Sequence, residues 1–144
     1  MRSRITLIPL LAALLALSAE NAPAQQVATA MTRSPEQASE LTRRALIFLE
    51  QGEDASDEAA KMAAYQEGEK LARQALELDD GNADAHFALF ATEGRRLVLE
   101  GSVNPISLMK VNSRLDRVLE LNPHHSDALA ARGGMYRQLP MLLG

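Results

Sequence analysis

The side chains best equipped for chemistry in this protein are three histidines, His86, His124 and His125, and two runs of carboxylates. The first run is Asp79-Asp80-Gly81-Asn82-Ala83-Asp84; the second comprises Glu50, Glu53, Asp54, Asp57 and Glu58. Imidazoles and carboxylates make metal sites and proton relays only at spacings that aim them at one point. Adjacent His124 and His125 point in different directions, and no His-x-x-x-His pair or glutamate-containing metalloprotease motif accompanies them. With Asp127 they amount to a weak, adventitious metal contact, so no metal site is expected. The run from Asp79 to Asp84 lacks the alternating ligands and closing glutamate of an EF-hand loop and reads as a helix-to-helix turn with capping groups. The carboxylates from Glu50 to Glu58 read as a solvated connection whose last members favour the positive end of a following helix. No phosphate motif follows Gly133-Gly134, and neither a G-x-S-x-G elbow nor a P-loop is present. Nothing nominates a nucleophile, no cofactor is implied, and the protein reads as a non-enzyme.

Composition narrows the field further. A length of 144 residues makes one small domain. With no cysteine there is no disulfide framework, thiolate metal site or Cys nucleophile. A formal net charge of -4 with 3% aromatic residues supplies neither a basic footprint for phosphate backbones nor a stacking platform for bases, so nucleic acid is not an expected partner.

The N-terminus carries an address. Arg2 and Arg4 precede an apolar run from Ile5 to Leu17, broken only by Thr6 and Pro9, and Ala22-Pro23-Ala24 follows as an A-x-A-like cleavage site. The run is shorter than the roughly 20 residues a membrane-spanning helix needs. Residues 1–24 therefore read as a signal peptide cut after Ala24, with Ala19 as a second candidate. The mature protein would be exported, to the periplasm or beyond it, with no integral membrane segment. Residues 25–33 have no clear periodicity and read as a flexible lead-in.

Five helices must position everything else. Ser34-Pro35-Glu36-Gln37 has the residues of a helix start, and Ala38, Leu41, Ala45 and Phe48 recur at helical steps until Gly52. A longer helix is expected from about Asp57 to Leu78, with Ala64, Tyr65, Gly68, Leu71, Ala72, Ala75 and Leu76 on one stripe. The third starts after Asn82 and closes at Gly101; the fourth opens at Pro105 and stops at Asn122-Pro123. The fifth begins after Ser126 and should end or bend near Pro140. No segment alternates as a strand does between hairpin turns, so the class is all-α, with short turns placing neighbours antiparallel.

One junction occurs twice. Ala75-Leu76-Glu77-Leu78-Asp79 and Val118-Leu119-Glu120-Leu121-Asn122-Pro123 end two helices, and each is followed by a short turn and a helix rich in small residues. The junction resembles that of the tetratricopeptide (TPR) family, whose repeats end in an Ala-Leu-Glu-Leu-Asp-Pro type turn. The offset from Ala75 to Val118 is 43 residues, against roughly 34 for that repeat. Gly68, Gly133 and Tyr136 fall at family small and aromatic positions; Asp80 replaces the turn proline, Phe90 a small residue, and His86 and Leu129 stand where Trp is common. The ending Leu139-Pro140-Met141-Leu142-Leu143-Gly144 is similar to that of exported TPR proteins akin to the T component of TRAP transporters.

The resemblance implies a short TPR-like solenoid over residues 34–144, lacking its last helix. It also implies a binding groove lined by first helices of each repeat, on which Phe87, Arg95, Tyr136 and Arg137 are the candidate contacts. The family's dicarboxylate clamp needs Lys and Asn at groove positions that here hold Phe87, Ala88, Ala91, Ala130, Ala131 and Gly134. Small residues there suit an apolar peptide or a partner helix. The expected function is a protein-binding adaptor; the alternative is an accessory, ligand-handling subunit of a periplasmic uptake system.

Overall fold

The computed structural model describes the backbone of residues 22–143 and the side-chain surroundings of residues 34–137. Among the described residues there are five helices and no strand: α1 (Ala22–Asp54), α2 (Glu58–Leu78), α3 (Ala83–Leu99), α4 (Pro105–Leu121) and α5 (Ser126–Leu143). By its internal contacts the protein divides into Met1–Thr32 and Arg33–Gly144, and the packing below belongs to the second unit. Most of the expected signal segment lies outside the described residues.

Local chemistry sets most helix starts. Asp57 caps α2 by accepting the Ala60 amide at 2.9 Å, and Asn82 caps α3 by accepting the Ala85 amide at 3.0 Å. Asn104 forms a reciprocal box with Ser107: its side chain accepts the Ser107 amide at 3.0 Å while its own amide donates to the Ser107 hydroxyl at 2.9 Å. Pro105 then occupies the first turn of α4, where a missing N–H costs nothing. Gly101, at φ 64°, supplies the left-handed residue that turns the backbone out of α3.

Two boundaries differ from expectation. Residues 25–33 are helical, and Ser34-Pro35 lies inside α1 instead of opening it. Gln25, Gln26, Ala28, Ala30 and Met31 are good helix formers even without an apolar stripe, and that propensity extends the helix ahead of the proline. The Pro35 carbonyl accepts the Ser39 hydroxyl at 2.9 Å. The second difference is at the other end: α5 continues through Pro140 to Leu143.

Consecutive antiparallel helices pack around two apolar clusters. Ala45 of α1, Leu71 and Ala72 of α2, and Ala88 and Leu89 of α3 form the first, with Leu41, Leu46, Phe48 and Leu76 against it. Leu115 and Val118 of α4 with Ala128 of α5 form the second, joined by Phe87 and Phe90 from α3 and by Met135. Thus α3 contributes to both. The helices approach closely because small residues stand at the crossings. A Cβ built on Gly68 would lie 2.8 Å from Thr92 Cγ2 on α3 and 3.1 Å from the Ala45 carbonyl on α1.

The repeated junction is repeated in three dimensions. Asp79 N–H donates to the Ala75 carbonyl at 2.9 Å, and Asn122 N–H to the Val118 carbonyl at 2.8 Å. The Gly81 amide donates to Asp79 Oδ1 at 3.0 Å and the His124 amide to Asn122 Oδ1 at 3.1 Å. Asn82 N–H then reaches the Asp79 carbonyl and His125 N–H the Asn122 carbonyl, at 3.3 and 3.1 Å. The 43-residue offset read from sequence holds at every one of these bonds, although one turn contains Asp80 and the other Pro123.

Candidate functional site

Two of the three histidines have structural tasks, His125 in the second junction turn and His86 on α3. His125 Nδ1 accepts the Ala128 amide at 3.2 Å and so caps α5; its Nε2 therefore carries the hydrogen and donates to Asp84 Oδ1 at 3.1 Å. The His125 ring also lies against Phe87, with centroids 4.9 Å apart. His86 Nε2 donates to the Asp80 carbonyl at 2.9 Å. Among the described residues no group of three or more His, Asp or Glu is placed to hold a metal ion.

The four candidate contacts separate. Phe87 packs into the second cluster, 5.9 Å from the Phe90 ring and against His125, so it joins repeats instead of facing a groove. Arg95 reaches across to α1, where its Nη2 pairs with Glu53 Oε1 at 2.7 Å, one of the carboxylates read from sequence as merely solvated. Tyr136 and Arg137 are exposed on α5, Tyr136 by 64%. None of the interactions made by Phe87 or Arg95 involves another of the four.

The most concentrated charge in the protein was not among those candidates. Glu93, on α3, has a side chain only 3% exposed, and it receives Arg114 Nε at 2.6 Å and Lys110 Nζ at 3.0 Å from α4. Arg73 Nη2, on α2, lies 3.8 Å from Glu93 and 2.6 Å from Glu69. Glu69 in turn accepts Arg96 Nε at 2.8 Å, and Arg96 also holds Glu100 at 2.7 Å. Farther along, Arg132 of α5 pairs with Asp116 of α4. Beside the Glu69 end lies an open polar hollow of about 510 Å³ lined by residues that include Lys70, Arg73 and Arg96. The trace of this ladder in the sequence is helical i, i+4 spacing: Glu69 to Arg73 on α2, Arg96 to Glu100 at the end of α3, and the like-charged Lys110 to Arg114 on α4.

The ladder ties helices together, Glu69 joining α2 to α3 and Glu93 joining α3 to α4. Burial alone would raise the Glu69 carboxyl; hydrogen bonds from Arg73 and Arg96, and then their charges, outweigh it and hold the group below the ordinary glutamate value of 4.5. Compared with protein-family models, with curated proteins and with solved structures, the sequence and fold match none. The site is therefore interpreted from its own geometry.

One consequence can be measured directly. A carboxyl held low in the folded state and restored to its ordinary value on unfolding stabilises the fold above that ordinary value, and the contribution is lost as pH falls through the folded one. Stability is thus expected to fall with acid below pH 4.5. Glu69→Gln should lower the melting temperature at neutral pH and flatten that acid limb. An acid limb unchanged by Glu69→Gln would remove this carboxylate from the account.

Proposed function

We propose that this protein is an exported, non-enzymatic helical-repeat adaptor that binds an apolar segment or helix of another protein. Its support for export is the Arg2/Arg4 and Ile5–Leu17 pattern, and for a repeat the duplicated junction. Among the described residues no helix is long and apolar enough to cross a membrane.

The observation that carries the binding reading is a stripe on α5. Leu129, Gly133 and Tyr136 follow one another at steps of four and three and so share a face. Leu129 is 49% exposed, Tyr136 64%, and a Cβ at Gly133 would meet nothing within 4 Å. Two large apolar side chains flanking a bare backbone form a notch for a partner's side chain, with Arg137 beside it for a polar rim contact. Arg95 and Phe87, engaged elsewhere, have structural roles in this reading.

The test is cross-linking of the native protein in the exported fraction, followed by mass spectrometry, in wild type and Tyr136→Ala. Tyr136→Ala should leave the helical circular dichroism unchanged and remove a specific co-purifying protein. A partner retained by Tyr136→Ala would overturn the α5 notch. A protein that captures no partner but gains thermal stability from small organic acids would overturn the adaptor in favour of the ligand-handling alternative.

A further inference from the structure

The turn between α2 and α3 contains the sequence Asp80-Gly81, in which a carboxyl group precedes the one residue type whose amide nitrogen is not crowded by a Cβ. The Asp80 carboxylate is 77% exposed, and no backbone amide holds it as a helix cap; the capping duties here belong to Asp79 and Asn82. The Gly81 N–H points at Asp79 Oδ1, 3.0 Å away. His86 Nε2 lies 3.6 Å from Asp80 Oδ1, and Arg117 Nη2 lies 3.9 Å from Asp80 Oδ2. An acyl carbon, an adjacent amide nitrogen, a carboxylate in line to take that amide's proton and an imidazole beside the leaving oxygen are thus gathered in one exposed turn.

We propose that Asp80-Gly81 is a site of spontaneous backbone rearrangement, through a cyclic imide, to an isoaspartyl linkage, with Asp79 as the proton acceptor. The Gly81 nitrogen bonds to Asp80 Cγ as its N–H proton passes to Asp79. One Cγ–O bond of the Asp80 carboxylate breaks, and the oxygen leaves as water with two protons taken up from solvent. Asp79 returns its proton to solvent. Water then adds to either imide carbonyl. Breaking the bond between the nitrogen and Asp80 Cγ restores the original linkage; breaking the bond between the nitrogen and the Asp80 backbone carbonyl carbon leaves the backbone running through Asp80 Cβ and Cγ. No oxidant, reductant or cofactor enters, and the final product has the mass of the starting protein.

Proximity of base and donor at hydrogen-bond distance is the general requirement for such a transfer. The second junction supplies an internal contrast. It has the same hydrogen bonds, with Asn122 accepting the His124 amide at 3.1 Å, but Pro123 stands where Asp80 does and offers no carboxyl. The rearrangement would also have a structural cost, since it adds the Asp80 Cβ methylene to the backbone and turns the Asp80 carbonyl held by His86 into a pendant carboxylate, just ahead of the Asn82 cap of α3.

The experiment is prolonged incubation of the full-length protein at neutral pH, with isoaspartate read by enzymatic methylation and located by peptide fragmentation. Isoaspartate should accumulate at position 80, preceded by a species lighter by one water. Asp79→Asn keeps an oxygen acceptor but not the base and should slow accumulation several-fold; Gly81→Ala, whose Cβ would sit 3.3 Å from Asp79 Oδ1, should slow it at least tenfold. Circular dichroism checks that these substitutions leave the helices intact. Absence of isoaspartate at position 80 would overturn the proposal, and an unchanged rate in Asp79→Asn would overturn the role of Asp79.

Discussion

Replacing Glu93 by alanine should cost this protein about 3–5 kcal/mol, the range expected when one partner of a buried ion pair is removed and the other is left behind. The three cations around Glu93 are not equally able to escape. Lys110 and Arg73 are 58% and 42% exposed and can turn to water, whereas Arg114 is 18% exposed and loses its only carboxylate. Most of the penalty should therefore reside in Arg114. Urea unfolding followed by circular dichroism would measure it, and the double variant Glu93→Leu with Arg114→Met should recover much of the loss by removing both charges together. A loss under about 1 kcal/mol in Glu93→Ala would place this pair with ordinary surface salt bridges.

Gly68→Ala should also destabilise, against the usual helix preference. Alanine in a helix is favoured over glycine by about 1 kcal/mol, and crowding a packed site costs about 1–3 kcal/mol, so the sign depends on whether the neighbours can give way. Here they cannot. Thr92 is fully buried and its hydroxyl is tied to the Ala88 carbonyl at 2.7 Å, while the other obstacle is the Ala45 backbone. A net loss of about 1–2 kcal/mol is expected. Thr92→Ser deletes the obstructing Cγ2 but keeps the hydroxyl, and in combination with Gly68→Ala it should restore part of the loss. Gly133→Ala, with open space at its Cβ, should instead stabilise. If Gly68→Ala raises the melting temperature, the three-helix crossing is looser than these distances imply.

What was legible in the sequence was whatever short-range chemistry decides. The starts of α2, α3 and α4 follow from Asp57, Asn82 and Asn104-Pro105, because a cap is a bond between residues two or three apart. The junction was legible because it occurs twice. The start of α1 was not, since Ser34-Pro35 carries the residues of a helix opening and only the propensity of residues 22–33 outweighs it. Pro140 marks no helix end either, since α5 continues past it to Leu143. The Glu93 ladder escaped because its inter-helix bonds join residues 17 to 27 apart, between helices whose facing is set by packing. Phe87 and Arg95 illustrate the same limit: a position on a helix can be read from spacing, but not which neighbour will claim the side chain.

The double duty of α3 has a consequence for how the protein comes apart. Stacked repeats ordinarily exchange free energy only with their neighbours, so an end can fray while the remainder stands. Here Ala88 and Leu89 are committed to one cluster, and Phe87 and Phe90, one or two residues away, to the other. Freeing α3 for either side wets both, and a single buried Leu or Phe is already worth about 1.5–3 kcal/mol. Partial melting is thereby confined to the outer helices, and beyond them the two clusters have no seam: they are lost in one cooperative step.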